Sequence, residues 1–235
     1  MNSNYVLPAT IVIAGLLIAG AVFLVGQSGT PSAVNNNGEV STRPYDPTLD
    51  HILGNPEAPV KVVEYYDLEC PYCKTFHTTM HRIIDYYNEN NPGQVAWVPR
   101  HFPLASIHPK APQEAAAAEC AAEQGGDAAF WRFIDRLFEV TPGNNGLDLS
   151  QLPVIAEEVG LDVAVFTECL ESDRYAEKVR DSYSEAIALG AQGTPFTLIM
   201  VGSEAVVLPG GQPYDSMRAA IDAVLSSLPQ QEATQ

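Results

Sequence analysis

The sequence predicts an α/β fold: one sheet domain interrupted by a helical insertion and preceded by an N-terminal transmembrane helix. Three observations lead there. A charge-free apolar run occupies residues 5–25. Short β-branched and aromatic runs fall at 58–67, 94–103 and 194–210, toward the two ends of the remaining chain. Between them, from about 109 to 189, the pattern is almost entirely helical.

Each element follows in order. After a short tail, residues 1–4, the segment "YVLPATIVIAGLLIAGAVFLV" has the length that a bilayer-spanning helix needs. Pro8 lies near its start, where a helix tolerates proline. The rival reading is a cleaved secretory signal, which usually has a basic start and a shorter apolar core. Here the first basic residue is Arg43, so an uncleaved anchor is expected. Residues 26–54 open with "GQSGTPSAVNNNGE" and read as a flexible tether. The folded body is expected over 55–228, on the extracytoplasmic side of the cell membrane, with a disordered tail at 229–235.

Within that body, "APVKVVEYYD" is a buried strand, and "CPYCKTFHTTMHRIIDYYNEN" is an amphipathic helix stopped by Asn91, Pro92 and Gly93. "QVAWVPRHFP" is a second strand. An Ala-rich helix follows and ends at Gly125 and Gly126. "AAFWRFIDRLFEV" carries its apolar residues on one face, and "DLSQLPVIAEEVG" and "DVAVFTECL" are short helices. A longer helix closes at Gly190. "TPFTLIMVG" and "EAVVLPG" form a hairpin around Gly202 and Ser203, and "YDSMRAAIDAVLSSL" is the final helix.

The net charge of −17, from 12 basic and 29 acidic residues, excludes nucleic acid as a partner, since phosphate binding needs clustered Lys and Arg. Hydrophobic residues make up 46% of the chain, enough for an ordinary core.

Cys70 and Cys73 stand where the first strand hands over to the first helix. Cys70 falls at the helix start, with Pro71 in a position that needs no N–H donor. Unpaired N–H groups and the helix dipole favour a thiolate there. Cys73, one turn deeper, suits resolution of a mixed disulfide formed at Cys70. A metal site is the competing reading, because Cys70, Cys73, His77 and His81 look like two cysteines and two histidines of a zinc site. All four lie on one helix, however, and Cys70 and His81 would be about 16 Å apart along its axis. No metal or cofactor is therefore expected. His77 reads as a solvated helix-face residue, and His101 and His108 as surface or loop residues. Cys120 and Cys169 complete an even count of four cysteines. In an exported protein they are expected to pair as a structural disulfide.

"VVEYYDLECPYC", residues 62–73, followed after a helical block by "GTPF", resembles the DsbA-like branch of the thioredoxin superfamily. "FPLASIHPKAPQEAAAAECAAEQ" is similar to the start of the helical insertion in that branch. The resemblance implies a thioredoxin-like fold and a cis proline at Pro195 beside the cysteine pair. It also implies that the backbone of Thr194 pairs with an extended substrate, flanked by Pro71 and Tyr72, which tune the thiolate. Glu64 matches the position of a buried acid near the resolving cysteine. An edge-strand carboxylate facing water is the alternative for Glu64.

The function expected on this basis is thiol:disulfide oxidoreduction. A membrane-anchored enzyme would introduce disulfides into reduced exported polypeptides, and a DsbB-like or vitamin K epoxide reductase-like membrane protein would reoxidise it. A reductase or isomerase on the same fold, or a non-enzymatic membrane-tethered peptide-binding module, are the alternatives.

Overall fold

The computed structural model describes residues 40–208 and 210–229. The expected tail 1–4, the anchor 5–25, the tether up to residue 39 and the tail from residue 230 lie outside the described residues. Among the described residues, no helix is long and apolar enough to cross a membrane.

The elements are β1 (Val40–Ser41), β2 (Leu53–Gly54), β3 (Val60–Tyr66), α1 (Pro71–Asn90), β4 (Val95–His101), α2 (Ala111–Val140), a 3-10 turn (Leu149–Gln151), α3 (Leu152–Glu158), α4 (Val163–Glu171), α5 (Ala176–Ala188), β5 (Phe196–Val201), β6 (Glu204–Leu208) and α6 (Tyr214–Ser227). They build one six-stranded sheet of order β1-β6-β5-β3-β4-β2. β3 runs parallel to β4 and antiparallel to β5, with Glu64 opposite Pro99 on one side and Thr197 on the other. Proline lacks a ladder donor, and β2 pairs only with Ala96 and Trp97, so Pro99 falls where β4 has become an edge.

Both faces of the sheet are covered, which is why β3 is an almost unbroken apolar run. Alternation sends Val60, Val62 and Tyr66 into the core beneath α1, α6 and the helical insertion. Val63 and Tyr65 point into the other core, which Ala186 of α5 and Leu189 close. The stretch 109–189, expected as one insertion, therefore divides: α2 to α4 pack on the first face, and α5 returns to roof the second. Gly125 and Gly126 depart from helical geometry, so α2 is two helical stretches joined at a kink, where the sequence places a helix end. Cys120 of α2 and Cys169 of α4 form a disulfide with Cα atoms 5.8 Å apart.

Residues 40–54, expected to belong to the flexible tether, are folded. β1 pairs with β6, and β2 with β4. Asp50 is shared by two guanidinium groups, Arg43 at 2.6 Å and the buried Arg100 at 2.9 Å, and Arg100 also reaches Glu185 at 3.1 Å. Local composition hides this attachment: residues 42–51 hold few apolar side chains, and the charges that anchor them come from positions 100 and 185.

Candidate active site

The site begins where β3 ends. The Cys70 N–H donates to the Asp67 carbonyl at 3.1 Å, which turns the chain into α1. Cys70 is the N-cap residue, with extended φ −79° and ψ 121°, and no side chain caps this helix end. Pro71 has no N–H to offer, so the first backbone donors are those of Tyr72 and Cys73, and they face the Cys70 sulfur. The Cys73 thiol, donating to that sulfur, has the largest effect on it. Burial opposes the effect, while the two backbone donors reinforce it. The Cys70 thiol is thereby lowered to about 6. At neutral pH it is mostly thiolate, the nucleophilic and better leaving form.

Cys73 is held in the opposite state. Burial pushes its thiol well above the ordinary range, and its hydrogen bond to Cys70 and the charge of Glu64 push the same way. The Asp67 N–H approaches its sulfur at 3.5 Å. Cys70 and Cys73 are both free thiols in this structure.

The Thr194–Pro195 peptide is cis. It brings the Thr194 carbonyl oxygen to 3.5 Å from the Cys70 sulfur, across 124 residues of sequence. A side-chain carbon at Gly211 would stand 3.1 Å from Pro195 Cγ and 3.3 Å from Phe76 Cβ. The segment after β6 can therefore close over the proline because residue 211 has no side chain. Pro71 is exposed and Tyr72 is 74% exposed, so both present themselves to solvent beside the sulfur.

Glu64 occupies the middle of β3, 1% exposed, on the sheet face that carries α1. It does not face water at an edge. Its Oε2 accepts a hydrogen bond from Trp97 Nε1 at 3.0 Å. Burial pushes its carboxyl up to about 8; the Trp97 bond opposes this and the Cys70 charge adds to it. A carboxyl titrating near pH 8 behind a buried thiol can hold or release a proton close to neutrality.

Four neighbours escape the sequence reading. Asp67 accepts from the Glu69 N–H at 2.8 Å, from the Leu104 N–H at 2.8 Å and pairs with His108 Nδ1 at 2.9 Å. Glu114 is fully buried, and burial first, then the Glu69 carboxyl, raise it to about 9. Asp67 and Glu69 stand beside Cys70 in "YYDLEC", so that stretch alone could have flagged them. His108 and Glu114 arrive from the insertion and carry no spacing signal.

The three histidines read as surface residues are all buried. His77 is wedged against Phe138 and Trp97, with ring centroids 4.6 and 5.1 Å away, because α2 lies over that face of α1. His101 ends β4 under α2 and pairs with Glu119 at 2.9 Å. His108 pairs with Asp67, as above. His77 and His81 both direct Nε2 toward Asp135.

A family model for thioredoxin matches residues 47–223. Among solved structures, DsbA2 of Pseudomonas aeruginosa is 29% identical with a TM-score of 0.64, covering 77% of this chain and 97% of that one. A thioredoxin-like oxidoreductase from Silicibacter pomeroyi is 28% identical with a TM-score of 0.61, covering 75% and 92%. BdbD of Bacillus subtilis, 24% identical with a TM-score of 0.65 over 80% and 98%, shares the fold. A curated relative, the Na(+)/H(+) antiporter NhaA 3 of Salinispora tropica, is 39% identical over 152 residues. That match takes in 65% of this chain and 22% of the relative, so the chain spans under a quarter of its length. The matched family and the fold around Cys70, Cys73 and Pro195 agree: the chain belongs to the thioredoxin superfamily, among its DsbA-like thiol:disulfide oxidoreductases.

Proposed function

We propose that this chain is a membrane-anchored, extracytoplasmic thiol oxidant that introduces disulfides into exported polypeptides. The observation that carries the reading is the opposed state of the two thiols, Cys70 lowered to about 6 and Cys73 pushed well up. Stabilising the Cys70 thiolate favours the reduced pair, so electrons flow from client to protein.

In the disulfide form, a client thiolate attacks the Cys70 sulfur, which lies beside exposed Tyr72 while Cys73 is sealed. A client–Cys70 bond forms, the Cys70–Cys73 bond breaks, and its electron pair goes to Cys73, which takes a proton. Protonated Glu64 is the positioned donor. A second client thiolate then attacks the client sulfur of the mixed disulfide, and Cys70 leaves as thiolate. The client loses two electrons and the cysteine pair gains them. The carbonyl of Thr194 beside Cys70 offers an extended client a backbone partner. A DsbB-like or vitamin K epoxide reductase-like membrane protein would reoxidise the pair.

The apolar run 5–25 supports the membrane anchor. Ion exchange, which the curated relatives' names carry, belongs to much longer chains.

Three experiments test the reading. Cys73→Ala should trap secreted proteins as mixed disulfides on Cys70; no trapped species would leave a binding module instead. The reduced protein should melt at a higher temperature than the disulfide form, and the reverse order would make it a reductase. A protease that failed to reach the folded body on intact cells would overturn the topology.

A further inference from the structure

We propose that His77, His81 and Asp135 form a binding site for a divalent transition-metal ion, Zn(II) by the chemistry of its donors, separate from the cysteine pair. His77 and His81 lie four apart on α1, and both direct Nε2 at one carboxylate oxygen of α2. The distances are 2.7 Å from His77 Nε2 to Asp135 Oδ1, 2.9 Å from His81 Nε2 to the same oxygen, and 3.2 Å between the two nitrogens. Two imidazoles and a carboxylate are a donor set that zinc takes in sites with an open fourth position. Zinc bonds of 2.0–2.2 Å place neighbouring ligands of a tetrahedron about 3.3 Å apart, so these atoms need to spread by about 0.1 to 0.6 Å. A cation at their centre replaces the protons that now hold the three together.

The donors are already gathered and braced. Trp97 and Trp131 stand edge-on to the His81 ring at 5.4 and 6.0 Å, and Phe138 and Trp97 pack on His77 at 4.6 and 5.1 Å. Fixed rings reduce the ordering cost of binding. Side-chain exposure grades outward from 9% at His77 to 34% at His81 and 39% at Asp135. The inner wall is therefore dry, and the outer side is open to an entering ion and a water as fourth ligand. The other histidine–carboxylate cluster differs: Glu119 is met there by His51, His101 and, at 2.6 Å, the ammonium of Lys178, which supplies the positive charge itself. Two histidines one turn apart are visible in the sequence, but Asp135 is 54 residues beyond His81 and enters only through the packing of α2 on α1.

The test uses the full chain with Cys70 and Cys73 oxidised, so that no active-site thiolate competes. Calorimetric titration with zinc chloride should show one equivalent bound with a Kd of about 10 μM or tighter. Cobalt(II) should give ligand-field bands without sulfur charge transfer. His81→Ala and Asp135→Asn should each weaken binding at least about tenfold while retaining disulfide exchange with a model peptide. Unchanged binding in either variant overturns the assignment. So does the absence of binding by the parent at about 100 μM zinc, which would leave Asp135 as a hydrogen-bond anchor for two histidines.

Discussion

Replacing Glu64 by glutamine separates the proton this residue holds from the space it fills. The glutamine amide oxygen can still accept from Trp97 Nε1, but the side chain no longer titrates. In the fold, burial pushes the Glu64 carboxyl from 4.5 up to about 8. The folded protein thus keeps a proton that the unfolded chain releases. Its contribution to stability is fully present below about pH 4.5 and is lost as the pH rises through about 8. The whole rise, from 4.5 to about 8, amounts to roughly 5 kcal/mol. Between pH 5 and pH 8 the part that falls inside the window is roughly 3.5 kcal/mol. Urea unfolding of the reduced parent and of Glu64→Gln at pH 5, 6, 7 and 8 reads this directly. The variant should gain on the parent by roughly that amount across the range, because contributions from other groups cancel in the difference. Parallel stability curves would refute both the raised carboxyl and its part as a proton donor to Cys73.

Four further outcomes are expected. The Cys70 thiolate absorbance should titrate near pH 6, and Cys73→Ala should move the midpoint upward, since donation from Cys73 is the largest cause of the lowering; an unmoved midpoint would discard that hydrogen bond. Because the Cys70 thiol is lowered, its contribution to the stability of the reduced form is present above the ordinary thiol range and is lost as the pH falls through about 6. Removing the Cys120–Cys169 bridge as a double alanine variant opens a loop with a sequence separation of 49 and should cost about 4 kcal/mol in urea unfolding, with exchange at Cys70 retained. Asp50→Ala leaves buried Arg100 without its main partner and should cost about 3–5 kcal/mol; a loss below about 1 kcal/mol would show residues 40–54 to be loosely attached.

The elements legible from sequence are those with strong local signals. β3, α1, β4, the β5–β6 hairpin and α6 follow from β-branched runs, helical spacing and the Gly202–Ser203 turn. β1 and β2 are two residues long, too short for any period, and exist because β6 and β4 offer open edges. α5 has the same amphipathic pattern as the insertion helices, so its place on the opposite sheet face is not encoded in the pattern. At the site, the cysteines and Pro195 stand out as residue types. The choice between a buried and an exposed Glu64 depends on strand order, which places β3 between β4 and β5. The three histidines read as exposed because their partners Asp135, Glu119 and Asp67 are contributed by other elements.

The bridge between α2 and α4 makes this protein a recipient of the product it is proposed to dispense. Both sulfurs are sealed in the core, at 1% and 2% exposure for their residues. Each new copy must therefore acquire that bond before its helices finish closing. A nascent chain matures at the expense of an oxidant already present, whether a finished sibling or another source. Supply of the first active molecules, and not only their turnover, would then limit how quickly a population of them builds up.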